Sequence, residues 1–219
     1  MIRIITLYNK PDLVKEAIAS VEAQTRRDFV HIVQEDKGRD WGDCYPPAVF
    51  FNEQAWIAHP EDYLCWLSDD DLFLPNYVAD LAGYLDANPA LGCVYGGAEQ
   101  YLCMPPAEPR FHRAFLAEQV FDRRHEAAGV IDGGQIMVRR SILDRISYPY
   151  APEKEMARCS DGVLMNKIAT VAGIYPVKTL VLRCRTTPLS ANVCTTDGLT
   201  VTAVEWSERR WMAGEGSWQ

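Results

Sequence analysis

Tyr63-Leu64-Cys65-Trp66-Leu67-Ser68-Asp69-Asp70-Asp71-Leu72-Phe73-Leu74-Pro75 sets an unbroken apolar run directly against three consecutive carboxylates. Such a run, with no polar alternation, reads as a short strand covered on both faces, as in a parallel sheet. The acids then fall at the strand's carboxyl end, where open α/β sheets bind their ligands. Adjacent carboxylates repel one another unless something positive sits among them. Hard divalent cations such as Mg²⁺ or Mn²⁺ take oxygen ligands and bridge carboxylates to substrate phosphates. The other reading is a solvated acidic loop capping a helix that starts at Asn76.

The same rhythm extends outward. Ile2 to Tyr8 is a second buried strand, closed by Asn9-Lys10-Pro11. Leu13, Val14, Ala17, Ile18 and Val21 follow at helical spacing and give one apolar face. Phe29 to Gln34 reads as a strand ending in the turn Glu35-Asp36-Lys37-Gly38, and Tyr45 to Ala58 as a helix. Pro75 to Ala87 is a helix stopped by Asn88-Pro89, and Gly92 to Tyr95 a strand ending at Gly96-Gly97. Farther on, 99–130 reads as loop, Gln135 to Val138 as a short strand, Ser141 to Ile146 as a short helix, Ser160 to Val171 as a helix and Thr179 to Arg185 as a last strand. Strand–helix alternation predicts an α/β fold: a mostly parallel, Rossmann-like sheet flanked by helices, in a single domain. The turns at Thr6 to Lys10, Glu35-Asp36 and Ser68 to Asp71 then converge on one cleft.

Composition bounds the chemistry. The 219 residues carry a net charge of −8, which disfavours nucleic acid or anionic lipid as a partner. No stretch approaches the length of a membrane span, and the N-terminus lacks the basic segment and cleavage site of a signal peptide. The 7 cysteines are odd in number and widely spaced, without C-x-x-C or zinc spacing, which predicts free thiols in a reducing cytoplasm. Cys65, Cys93, Cys103 and Cys184 lie in or beside apolar runs, where a thiol behaves as a small hydrophobe.

Five segments in order resemble glycosyltransferase family 2: Ile5 to Pro11, Ser20 to Thr25, Val33 to Gly38, Leu67 to Pro75 with its DxD-like acids, and Asn88 to Gly97. The resemblance is strong over 1–97 and patchy over about 130–190. It implies a GT-A fold and an inverting transferase that uses a nucleotide-sugar donor, most simply a UDP-sugar, a hydroxyl-bearing acceptor and Mn²⁺ or Mg²⁺. It also implies a glycosyltransferase domain over 1–195, with a nucleotide-sugar half at 1–98, an acceptor half at 99–195 and a tail at 196–219. Residue by residue, Thr6 and Tyr8 would line the base pocket and Asp36 would accept from the base's ring N–H. Asp69 would meet the ribose or the diphosphate, and Asp70, with Asp71, would hold the metal.

Inverting transfer needs a carboxylate to take the acceptor hydroxyl's proton. The resemblance puts that base at a helix start, where Cys159-Ser160-Asp161-Gly162 stands here, so Asp161 matches it and Ser160 replaces the usual acid. A dipole-stabilised carboxylate at that point would have a low pKa; the plainer role of Asp161 is to complement the helix dipole. Gly133-Gly134 resembles an acceptor turn whose N–H groups would approach a sugar or phosphate, or is an ordinary turn. Arg183 and Arg185 would pair with the diphosphate. His31, His59, His112 and His125 receive no catalytic role. The tail with Trp206, Trp211 and Trp218 either packs back onto the domain or makes a homodimer or membrane-surface contact.

Three other functions compete: transfer to a modified DNA base, against which the net charge argues; nucleotidyl transfer, which wants a Gly-rich loop where Thr6 to Pro11 has no glycine; and a non-catalytic nucleotide- or sugar-binding module.

Overall fold

The computed structural model describes residues 1–37, 46–103, 108–125, 127, 130–146, 160–186, 193–196 and 199–202, with 160 and the last two stretches as backbone only. The tryptophan-bearing tail, and with it the homodimer expectation, lies outside the described residues.

The strands are β1 (Ile2–Tyr8), β2 (Phe29–Glu35), β3 (Tyr63–Trp66), β4 (Leu72–Phe73), β5 (Cys93–Leu102), β6 (Arg110–Phe115), β7 (Ile136–Arg139) and β8 (Tyr175–Thr186). The helices are α1 (Leu13–Glu22), α2 (Pro46–Ile57), α3 (Tyr77–Ala87), α4 (Arg140–Leu143) and α5 (Ser160–Val171). β9 (Val193–Thr196) and β10 (Leu199–Thr202) form a separate antiparallel pair. One sheet runs β2-β1-β3-β7-β5-β8-β4, with β6 on β5. Parallel pairing holds for β1–β2, β1–β3 and β5–β8. β7 enters antiparallel between β3 and β5, so strands from the two halves of the chain interleave and the sheet is mixed. Among the described residues no helix is long and apolar enough to cross a membrane.

Period-2 alternation explains why the strands look continuously apolar. On β1 and β3, Ile5, Leu7, Leu64 and Trp66 face one layer with Phe50 and Phe51 of α2 and Leu164 and Ile168 of α5. Ile2, Ile4, Tyr63 and Cys65 face the other, with Ala17 and Val21 of α1 and Val78, Leu81 and Leu85 of α3. Both faces are buried, so these strands are mostly apolar, and the buried Thr6 of β1 has its hydroxyl on His31.

The strand at Gly92 does not end at Gly96-Gly97; β5 runs through them to Leu102. A Cβ on Gly96 would lie 2.5 Å from the Val181 side chain, and one on Gly97 would lie 2.4 Å from the Phe115 carbonyl oxygen. These glycines mark close approach to β8 and β6 rather than a turn. The 99–130 segment, expected as loop, accordingly contains the end of β5 and all of β6, paired from Ala98–Phe115 to Leu102–Arg110. That pairing is non-local and leaves no periodic trace in a single strand.

Two side chains from the end of α1 hold the acidic turn from behind. Ser20 Oγ accepts from the Phe73 N–H at 3.1 Å. Gln24 is 1% exposed; its Nε2 donates to the carbonyls of Ser20 and Leu74, and its Oε1 accepts from the Val78 N–H at 3.0 Å, satisfying an orphan donor at the start of α3. Gln24→Leu strands these groups in the interior and should cost about 1–3 kcal/mol, read as a lower urea midpoint at unchanged slope.

His31 on β2 lies 3.1 Å from the Thr6 hydroxyl, and burial holds its ring from the usual 6.5 down to about 4. The unfolded chain therefore binds a proton that the fold refuses between those values, and stability falls as pH drops from about 6.5 toward 4. The loss should reach at most about 3 kcal/mol. Urea unfolding of the wild type and of His31→Gln, compared from pH 7.5 to pH 5, should show an acid-side loss that the variant lacks.

Candidate active site at the carboxyl end of the sheet

Asp69, Asp70 and Asp71 leave β3 at 6%, 8% and 7% exposure, so they are not a solvated loop. Asp69 ties two strand ends together. Its carboxylate accepts from the backbone N–H groups of Asn9 and Lys10, both at 3.0 Å, and from Lys10 Nζ at 2.9 Å. The same ammonium reaches Asp70 Oδ2 at 2.9 Å. Burial works against the Lys10 charge, but Asp70 and Asp69 outweigh it and raise its pKa.

Asp71 Oδ1 accepts from the Arg185 N–H at 2.8 Å, which joins the turn to the end of β8. The Arg185 guanidinium bonds the Asp70 carbonyl and Glu16 of α1. Arg183 bonds Glu99 and lies 4.9 Å over the Tyr101 ring. Both arginines expected to pair with a diphosphate therefore have partners within the protein, and Arg185 is a clamp on the acidic turn.

The second wall comes from Asp132-Gly133-Gly134-Gln135, a 3-10 turn in front of β7. Asp132 Oδ1 accepts from the Gly134 N–H at 2.8 Å while Gln135 Oε1 accepts from the Asp132 N–H at 2.8 Å, a reciprocal cap. Gln135 Nε2 donates to the Gly96 carbonyl at 2.7 Å, fixing the turn to β5. A Cβ on Gly134 would meet Leu182 of β8 at 3.0 Å, so the glycine lets the turn approach that strand. The Gly133 N–H faces Asp161. The two glycine N–H groups expected to meet a sugar or phosphate are thus directed at carboxylates.

Asp161 opens α5, half-buried, with its Oδ1 accepting from the Gly162 N–H at 2.7 Å. Its pKa is raised, not lowered: burial outweighs the N–H groups of Gly162, Asp161 and Gly133. This corrects the low value expected from the helix dipole alone. Asp132 is pushed up to about 6 by burial, then by Asp161, and also by Asp70. Asp71 is raised well above the carboxylate range by burial, Asp132 and Asp70. Mutual influence of this kind groups Asp70, Asp71 and Asp132, with Asp161 on the far side of Asp132 acting on it. Cys184 of β8 joins them; ligand atoms of Asp71, Asp132 and Cys184 lie within 4.8 Å of one another. Oxygen donors crowded without matching positive charge are the chemistry a hard divalent cation satisfies, so the residues fit such an ion.

Thr6 is fully buried, its hydroxyl on His31, and offers no surface to a base. Tyr8 is half-buried with its hydroxyl 3.2 Å from Glu35, and the Asp36 N–H bonds the Tyr8 carbonyl at 2.8 Å, so the ends of β1 and β2 sit side by side. Sequence reasoning missed Lys10, Asp132 and Cys184. The D-x-x-Q spacing of Asp132 and Gln135 was the available signal for one of them.

No protein-family model matches the chain. It is 31% identical over 114 residues to an uncharacterized glycosyltransferase of Rickettsia bellii, a match covering 44% of this chain and 16% of that protein. A namesake in Rickettsia conorii is 29% identical over 116 residues, covering 44% and 19%. The chain thus spans less than a fifth of the length of these relatives. Among solved structures, S. aureus TarS 1–349 superposes with a TM-score of 0.55 at 12% identity, covering 84% of this chain and 60% of that one. The complex of TarS 1–349 with UDP-GlcNAc gives 0.52 at 14%, covering 84% and 58%. The fold is that of TarS.

Lys10→Met removes the cation shared by two buried carboxylates and should cost about 2–4 kcal/mol in urea unfolding at pH 7.

Proposed function

We propose that the chain is an inverting glycosyltransferase that moves a sugar from a nucleoside-diphospho-sugar to an acceptor hydroxyl, with Asp161 as general base. The observation that carries this reading is the Asp161 carboxyl, raised in pKa by burial and held by fixed N–H groups beside Asp132. A base whose pKa burial raises above the ordinary aspartate value takes a hydroxyl proton more readily than an ordinary aspartate does. The likeness to named glycosyltransferases supports the reaction class, and the fold shared with a UDP-GlcNAc-binding TarS supports a UDP-sugar donor.

Tyr8 and Asp36, at adjoining strand ends, are the candidates for stacking on the nucleotide base and accepting its ring N–H. Asp69, Lys10 and Arg185 hold the acidic turn in place. Asp70 and Asp71 are the sequence's candidates for a divalent cation, which when bound would offset the charge growing on the departing diphosphate. The acceptor oxygen attacks the anomeric carbon as its proton passes to Asp161, the bond to the diphosphate breaks, and configuration inverts.

Asp161→Asn keeps the shape and the helix start but removes the proton acceptor. Nucleoside-diphosphate release in the presence of acceptor should fall about 10²–10⁴-fold. Donor affinity by calorimetry should be unchanged. A thermal-shift panel of UDP-, GDP-, dTDP- and CMP-sugars with and without Mn²⁺ identifies the donor; stabilisation by UDP-sugars is the expected result. Undiminished turnover in Asp161→Asn would remove the base assignment.

A further inference from the structure

The five carboxylates at the site are not equally compensated. Asp69 has two backbone N–H groups and Lys10, and Asp70 has Lys10. Among the described residues no ion pair reaches Asp71 or Asp132; each accepts a backbone N–H, from Arg185 and Gly134 respectively. The Arg185 guanidinium bonds the Asp70 carbonyl and Glu16, and from there its charge offsets that of Asp71 only in part. Asp71 is 7% exposed, and among the described residues only its Oδ1 has a hydrogen-bond donor. Beside it stands Cys184, a free cysteine on β8, at the point where three separate elements bring donor atoms within 4.8 Å.

We propose that Asp71, Asp132 and Cys184 form a divalent-cation site with one thiolate donor, so that the metal sits one residue beyond the Asp69–Asp70 pair that Lys10 occupies. The proposal rests on the glycosyl-transfer reading only for the metal's use; the site itself follows from the unmatched donors. One sulfur with two carboxylates suits borderline ions such as Zn²⁺ or Co²⁺ and their softer analogue Cd²⁺ better than Mg²⁺ or Mn²⁺. On binding, the Cys184 S–H bond breaks, the sulfur–metal bond forms and the proton leaves to solvent. The partners are already braced: Gly134 and Gln135 hold Asp132, the Arg185 N–H holds Asp71, and β5 fixes Cys184 at the register Gln100–Cys184.

The test is spectroscopic. The 219-residue chain is titrated with Co²⁺, and absorption is followed for the thiolate-to-cobalt charge-transfer band. A band saturating at one equivalent is expected. Cys184→Ser should lose the band and bind Cd²⁺ at least about tenfold more weakly, while Mg²⁺ binding changes less. Asp132→Asn should weaken Co²⁺ binding in the same way, with circular dichroism reporting that the fold is kept. Co²⁺ binding without a band in the wild type, or identical Cd²⁺ affinity in wild type and Cys184→Ser, overturns the proposal. UDP binding is measured in parallel. A band with no nucleotide binding under any metal sinks the transferase reading and leaves the site standing; nucleotide binding with no band does the reverse.

Discussion

Five carboxylates meet at one end of a sheet whose both faces are dry, and each must find a positive partner or give up its charge. Asp69 solves this by binding two backbone N–H groups at the exit of β1 together with the Lys10 ammonium. The exits of β1 and β3 are thereby fixed to each other, and the position of every other site residue follows. Arg185 reaches in from β8 and Ser20 and Gln24 from α1, so the acidic turn is held on three sides. This bracing lets short polar side chains stand at a buried strand end without unfolding it. The apolar layers beneath, built from alternate residues of β1 and β3, supply the favourable burial against which those polar costs are set.

The opposite wall uses the same device in reverse. A helix start and a glycine turn offer backbone N–H groups, and Asp161 and Asp132 accept them. The bonds orient the two carboxyls toward the acidic turn, while burial keeps both harder to ionise than ordinary aspartates. The result is a graded set: carboxylates paired with Lys10, and carboxyls left open to a proton or a cation.

Much of the fold was legible because buried strands and amphipathic helices write local patterns. β1, β3, α1, α3 and α5 could be read from apolar runs and helical spacing to within a residue or two at most ends. The second half was harder for a physical reason. β5 passes through Gly96-Gly97 only because β8 and β6 come close enough to exclude a Cβ, a fact about neighbours and not about the strand. β7 lies antiparallel between β3 and β5, and nothing in Ile136–Arg139 states its direction. At the site, Asp69 to Asp71 and Asp161 stood out as acids at element ends. Lys10 looked like a turn residue and Cys184 like core, because their partners are distant in sequence.

By itself the sequence determined the layered α/β scaffold and the end of the sheet at which chemistry gathers, since periodicity and turn residues act over a few positions. Only the tertiary structure decided how the charges are shared. Lys10 against Asp69 and Asp70, Arg185 on the turn, and Asp71 beside Asp132 and Cys184 are contacts between residues some 50 to 115 positions apart. Ionisation and metal affinity depend on distance and burial in space, which no spacing along the chain encodes.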